Sequence, residues 1–281
     1  MISILLPDYD GITRFAKVAL MIPSLELQAA LDAAGRAAEI ARSMFQHNIE
    51  VRIKADKSPV TEADVRCEMA IREIIETRFP SHGFFGEETG TSNEHAENLW
   101  LVDPIDGTKA FVREYAMFST QIALMRRGEI VLGVSSAPVY GEIAYAERGR
   151  GAFLNGKPIA VSRIDTLESA ALSSGNLKSL AAGPQWTPYG ALVARVNRIR
   201  GYGDFLHYHL LAGGRIDAVI ESDVNILDIA ACAAIVNEAG GCFTDLRGAP
   251  LTLESTSVLA SNGRLHAAVL EALRPDSRLE E

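Results

Sequence analysis

Apolar positions recur at helical spacing twice near the start of the chain and then gather into short runs. From Ser24, which can cap a helix, Leu25, Leu27, Leu31, Ala34, Ala38 and Met44 return every third or fourth position or close to it, so a helix with a buried face is expected. A polar stretch, Val51-Arg52-Ile53-Lys54-Ala55-Asp56-Lys57, leads through Ser58-Pro59-Val60-Thr61-Glu62-Ala63-Asp64 into a second helix. Its buried side is expected to carry Val65, Met69, Ile71, Ile74, Ile75 and Phe79. The runs at 83–86, 99–102, 118–125, 130–134, 143–146 and 151–154 are too short for helices and read as strands. Arg126-Arg127-Gly128-Glu129 and Asn155-Gly156 supply tight turns between them. The first half is therefore helices packed on a largely antiparallel sheet.

Beyond about 161–166 the pattern alternates. Strands at 170–172, 197–199 and 218–220 are separated by helices around 189–196 and 205–212, which is an α/β arrangement. An Ala-rich helix beginning near Asp228 stops at Gly240-Gly241, strands follow at 242–244 and 257–260, and a last helix covers 264–273. The expected organisation is an N-terminal extension (1–23), an α+β metal-binding unit (24–163) and an α/β unit (164–281) that completes the site. His207 and His209 stand two apart in a helix and so face different ways, which argues against a shared metal.

The chemistry concentrates at Asp103-Pro104-Ile105-Asp106-Gly107-Thr108-Lys109. The strand before it ends at Asp103, which Pro104 holds in an extended conformation. Asp106 returns a second carboxylate, Ile105 leaves a carbonyl oxygen free, and Gly107 lets the backbone bend closely around a ligand. Such hard oxygen donors suit Mg²⁺, with Mn²⁺ or Ca²⁺ as alternatives. Thr108 and Lys109 open a helix whose first N–H groups could hold an anion, so a cation and a phosphate side by side are expected. Taken alone, this stretch also fits a strand, an Asx turn and a helix cap. Asp64 and Asp228 likewise suit first turns of helices, and Glu87-Glu88 suits a solvated loop. Their recurrence at strand ends and helix starts is what favours one shared cage.

Composition narrows the partners. The chain has 281 residues, 48% of them hydrophobic, enough for a sizeable core. A net charge of −9 argues against a nucleic-acid partner, which needs a basic face. Cys67, Cys232 and Cys242 form no closely spaced pair, so neither a disulfide framework nor zinc is indicated and a reducing cytoplasm is expected. Pro7, Asp8 and Asp10 interrupt the apolar opening before a signal core or membrane span could form, and no membrane partner is expected.

Gly86-Glu87-Glu88, then Asp103-Pro104-Ile105-Asp106-Gly107-Thr108, then Asp228 with Glu238-Ala239-Gly240-Gly241 resemble, in order and spacing, the inositol monophosphatase family of Mg²⁺-dependent phosphomonoesterases. The resemblance runs from about Leu25 to the C-terminus and implies a layered αβαβα sandwich of the sugar-phosphatase type and a homodimer. It implies one metal on Glu87, Asp103 and the Ile105 carbonyl, a second on Asp103, Asp106 and Asp228, and a third loosely shared by Glu87. Thr108 backed by Asp64 would orient and deprotonate the attacking water, the N–H groups of Gly107 and Thr108 would hold phosphate, and Glu221 matches a substrate-hydroxyl contact.

Two departures refine this. Leu227 stands where many members have Trp, and Lys109-Ala110-Phe111 replaces the usual Asn pattern of the inositol enzymes. With Gly201-Tyr202-Gly203-Asp204-Phe205, that ending looks more like the histidinol-phosphate phosphatases within the family. A cationic substrate needs carboxylates beyond the metal ligands, which Asp204, Glu221 and Asp223 could supply, with Lys109 and Asp106 also at the substrate. L-Histidinol phosphate, an intermediate of histidine biosynthesis, is the expected substrate. Inositol phosphate is the alternative, and a phosphoadenosine-type substrate fits less well. A catalytically silent dimeric binding protein is the reading from another class, and loss of Thr108, Asp64 or a metal carboxylate would have signalled it.

Overall fold

A computed structural model describes residues 23–47, 51–53 and 59–275. Apart from Pro23, the expected N-terminal extension lies outside the described residues, as do Lys54 to Lys57 of the polar stretch. Ser24 caps α1 (Leu25–Met44) by accepting the Leu27 N–H, and small residues from Ala29 to Ala41 form its buried stripe. The described part of the polar stretch forms a ribbon: β1 (Val51–Ile53) pairs antiparallel with β2 (Pro59–Thr61).

The second helix, α2 (Glu62–Arg78), is where the hydrophobic pattern misleads. Its inward face carries Ala63, Asp64, Cys67, Glu68, Ile71 and Ile75, while Val65 and Met69 are exposed. The stripe is rotated because two carboxylates, Asp64 and Glu68, have partners inside and so displace apolar side chains outward.

Next come β3 (Gly83–Gly86), β4 (Gly90–Ser92) and β5 (Asn98–Asp106), then the short helix α3 (Thr108–Val112). β6 (Ser119–Arg126), β7 (Glu129–Ala137), β8 (Glu142–Glu147), β9 (Ala152–Leu154) and β10 (Lys157–Ile159) complete a sheet in the order β10-β9-β8-β7-β6-β5-β3-β4. All its pairs are antiparallel except β3 with β5. The Arg127-Gly128 and Asn155-Gly156 turns both take positive φ, as tight hairpins require.

The second half adds β11 (Ala171–Ser174), α4 (Lys178–Ala182), α5 (Trp186–Arg195), β12 (Arg198–Arg200), α6 (Asp204–Ala212), β13 (Ala218–Ser222), α7 (Ile226–Glu238), β14 (Cys242–Thr244), β15 (Ser257–Ser261) and α8 (His266–Ala272). Its sheet runs β12-β11-β13-β15-β14, parallel at the β12/β11/β13 end and antiparallel beyond.

Three apolar clusters define the layers. One joins α1 and α2 to the outer face of the large sheet through Leu27, Ile71, Trp100 and Ile122. A second places α6 and α7 between the two sheets, with Leu101, Ile229, Val219 and Val258 in contact across them. The third packs α5 and α8 on the far face of the small sheet through Leu172, Leu192, Ile220 and Val269. The result is the expected αβαβα sandwich.

Candidate functional site

Sheet register brings the acids together. β3 runs parallel to β5 with Gly86 opposite Val102, and the Glu87 N–H donates to the Val102 carbonyl at 3.2 Å, so Glu87 emerges beside Asp103. β5 does not stop at Asp103 as expected but continues to Asp106 through a bulge, with Asp103 opposite Gln121 and Asp106 opposite Ser119. The extra residue re-aims Asp106 toward the same volume. Within the bulge the Asp103 carboxylate accepts the Ile105 N–H at 2.9 Å, and Thr120 Oγ1 donates to the Pro104 carbonyl at 2.9 Å. Gly107 then turns the chain at φ 92, where a side chain would also strike the Met117 carbonyl.

Two further acids arrive on helix starts, and each has a double task. Asp64 closes the capping box of α2: its Oδ2 accepts the Thr61 N–H at 2.8 Å and the Thr61 hydroxyl at 2.6 Å. Its Oδ1 accepts from Thr108 Oγ1 at 3.1 Å. Asp228 closes the box of α7 against Asn225, accepting its N–H at 3.0 Å and its amide at 2.7 Å. The helix-cap reading of both residues is realised, and the same carboxylates face Thr108 (Asp64) and the Asp103–Asp106 pair (Asp228).

Oxygen atoms of Asp103, Asp106 and Asp228 lie within 4.8 Å of one another. Among the described residues none of the three is paired with a lysine, arginine or histidine. Burial, then the charges of Glu87, Asp106, Asp228 and Asp64, push the Asp103 carboxyl well above its usual range. Asp106 is raised likewise, by burial and then by Asp204, Asp228 and Glu221. Burial lifts Asp228 to about 6, with Glu87 contributing. Packed carboxylates that repel one another this strongly, with only oxygen donors around them, fit a hard divalent cation.

Thr108 Oγ1 also lies 3.0 Å from the Ile105 carbonyl, so one hydroxyl hydrogen faces two acceptors. Asp64 is raised chiefly by burial, which outweighs its three hydrogen bonds. Lys109 is exposed at the start of α3, and its charge acts on Asp204.

Around the cluster lies one acid that the sequence alone did not single out, together with several that it did. Glu68, fully buried on α2, accepts the N–H groups of Glu88 and Thr89 at 2.8 and 2.6 Å and the Thr89 hydroxyl at 2.5 Å. It clamps the loop that carries Glu87, and Gly86 leaves room for it where any side chain would collide with the Glu68 carboxylate. The available signal was spacing: Glu68 is one helical turn from Asp64 and so shares its face. Glu221 is 3% exposed and engaged by the Asn176 N–H at 3.1 Å and the Tyr208 hydroxyl at 2.7 Å. His207 Nε2 stands 3.1 Å from Glu221 without the alignment of a hydrogen bond. His209 instead meets Glu142 and Ser135, so the histidines face apart as expected. Asp204 heads α6 at φ 45, accepts no hydrogen bond among the described residues, and is lifted to about 6 by burial and then by Glu221. Asp223 is drawn elsewhere, to Ser179 N–H at 2.9 Å and Ser222 Oγ at 2.8 Å.

A cluster of buried acids with a threonine hydroxyl beside it is the furniture of a cation-dependent hydrolase. The sequence model of the inositol monophosphatase family matches residues 24–277, so the chain belongs to that family of metal-dependent phosphatases acting on small phosphate monoesters. It is 39% identical over 254 residues to the histidinol-phosphatase of Mycobacterium tuberculosis, covering 88% of this chain and 97% of that protein. It is 34% identical over 234 residues to the inositol-1-monophosphatase of Rhizobium meliloti, covering 81% and 87%. Among solved structures, the extragenic suppressor protein SuhB of Bartonella henselae superposes with a TM-score of 0.83 at 30% identity, covering 89% of this chain and 99% of that one. Among the described residues no helix is long and apolar enough to cross a membrane.

Proposed function

We propose that the chain is a Mg²⁺-dependent phosphomonoesterase whose preferred substrate is L-histidinol phosphate, working as a cytoplasmic homodimer in histidine biosynthesis. The observation that carries the substrate choice is Asp204. Among the described residues its carboxylate accepts no hydrogen bond, and burial and Glu221 make its charge costly, with Lys109 offsetting part of that. A substrate amine would neutralise it. Glu221 is already held by Asn176 and Tyr208, so Asp204 is the better placed acid for a cationic group. The similarity to a histidinol-phosphatase points the same way.

In this reading Glu87, Asp103 and the Ile105 carbonyl would hold one ion, Asp103, Asp106 and Asp228 would hold a second, and Glu87 would share a third. Bound ions would lower the pKa of water from near 16 toward about 7 and stabilise the departing oxygen. Thr108 orients the attacking water by its hydroxyl, and Asp64, whose Oδ1 faces that hydroxyl, takes up the proton. The N–H groups of Gly107 and Thr108 fix the phosphate at little reorganisation cost, and Lys109 balances its charge.

The test is phosphate release from histidinol phosphate, an inositol monophosphate, a fructose bisphosphate and a nucleoside bisphosphate. Histidinol phosphate should give the highest kcat/KM, and Asp204→Asn should raise its KM about tenfold or more while sparing the inositol ester. A histidinol phosphate kcat/KM no greater than that for inositol phosphate would overturn the substrate choice. No release from any ester with Mg²⁺ present would favour the silent binding protein.

A further inference from the structure

Behind the acidic cluster, on the face of the large sheet that α6 and α7 cover, Ser119, Gln121 and Ser135 are sealed from solvent and His209 is 2% exposed. Buried amides and hydroxyls are costly unless every one finds a partner. These do, in a single line across the strands. Ser119 Oγ donates to Asp106 Oδ2 at 3.3 Å. Gln121 Nε2 donates to Ser119 Oγ at 2.7 Å and to Ser135 Oγ at 3.1 Å. His209 Nε2 lies 2.9 Å from Ser135 Oγ, and its Nδ1 lies 3.0 Å from Glu142, a partly exposed carboxylate.

The direction of each bond follows from the inventory of donors. Glu142 only accepts, so His209 Nδ1 carries a hydrogen toward it, and His209 Nε2 is paired with the Ser135 hydroxyl. The Gln121 oxygen faces Cys232 Sγ at 3.6 Å, which sets its nitrogen toward the two serines. Both serines accept from that nitrogen, and the one hydrogen of Ser119 is left for Asp106. Because the amide donates in both directions, the line cannot pass a proton from end to end. What it transmits is orientation. It also acts where the backbone cannot, since the bulge in β5 breaks the ladder between Asp103 and Asp106.

We propose that Gln121 is a positioning residue for the cation site: anchored by Ser135 and His209, its amide turns the Ser119 hydroxyl onto Asp106 and holds that carboxylate as an oriented acceptor. The inference rests on Asp106 being a cation ligand.

The experiment is calorimetric titration of the full chain with Mg²⁺ alone, without substrate, on the native protein, Ser119→Ala, Gln121→Met and the double variant, with melting temperatures recorded alongside. Loss of such an outer partner weakens metal binding by about 10–100-fold. Each single variant should therefore bind Mg²⁺ about tenfold more weakly or worse. The double variant should be no weaker than Ser119→Ala by more than about twofold, because both act through one bond. Unchanged Mg²⁺ affinity in the single variants, whatever their melting temperatures, would overturn the proposal, as would losses that multiply in the double. Ser119→Ala deletes a single oxygen and decides the matter if Gln121→Met does not fold. A native protein that binds no divalent ion would sink the cation reading itself, and this inference with it.

Discussion

Replacing Thr108 by Val separates what its hydroxyl does for stability from what it does for chemistry. Valine keeps the shape, so no cavity opens, and only the contacts to Asp64 Oδ1 at 3.1 Å and the Ile105 carbonyl at 3.0 Å are lost. One hydrogen cannot serve both acceptors fully. The folding cost is thus that of one bond to a buried charged group, about 1.5–3 kcal/mol. That is a fraction of the roughly 5–15 kcal/mol typical of a folded protein, so the variant should remain native with a melting temperature lower by some degrees. The catalytic loss should be larger. A positioned proton-transfer pair is worth about 10²–10⁴-fold, which is roughly 2.7–5.4 kcal/mol of activation free energy. Phosphate release at saturating Mg²⁺, read against thermal unfolding, gives both quantities from one preparation. Thr108→Ser, which keeps the hydroxyl, should retain most of kcat. A Thr108→Val enzyme within about tenfold of native kcat, or a Thr108→Ser enzyme as slow as the valine variant, would remove Thr108 and Asp64 from the proton path.

Two other outcomes follow from the geometry. Glu68→Gln turns an accepting oxygen into an amide NH₂ group that faces an N–H donor, so the loop at Glu88 and Thr89 should loosen at a cost of about 1.5–3 kcal/mol. The Mg²⁺ concentration for half-maximal activity should then rise about tenfold while kcat at saturation stays within about threefold, and an unchanged Mg²⁺ requirement would show that Glu68 does not hold Glu87 in place. His82 accepts the indole N–H of buried Trp100 at Nδ1, 3.1 Å away, and burial holds the imidazole below its ordinary pKa. Between the folded and unfolded pKa values the unfolded chain binds more protons. This contribution is therefore complete above about pH 6.5 and is lost as pH falls toward the folded value. Urea unfolding of native protein and His82→Gln between pH 5 and 8 should show the native protein losing more stability on acidification, and parallel curves would contradict that role.

Much of this molecule is written locally. The extent of α1 and its Ser24 cap, the Arg127-Gly128 and Asn155-Gly156 turns, and the Gly240-Gly241 stop after α7 depend on neighbours a few residues away, and they stand where the residue pattern puts them, although Leu25, expected on the buried face of α1, is exposed. The strand into Asp103 and the turn at Gly107 are legible for the same reason, although the bulge that carries β5 on to Asp106 is not. A bulge depends on the partner strand, and nothing in Asp103-Pro104-Ile105-Asp106 says that Gln121 and Ser119 will face it. The rotated stripe of α2 is a second case. Hydropathy sends Met69 inward and Glu68 outward, and the structure reverses them because a loop from another strand brings three donors to that carboxylate.

The sequence by itself determined the grouping of Asp103, Asp106 and Asp228, the family likeness and the principal helices and strands, though not β1, β2, β4, β10 or α4. Those depend on residue chemistry and short-range backbone preference. Only the tertiary structure decided that Asp103, Asp106 and Asp228 converge within 4.8 Å, that Glu221 is engaged from within while Asp204 has no donor among the described residues, and that a line of buried polar groups stands behind Asp106. The physical reason is that burying a charge or an amide is favourable only when partners arrive from distant parts of the chain. No local pattern records where they come from.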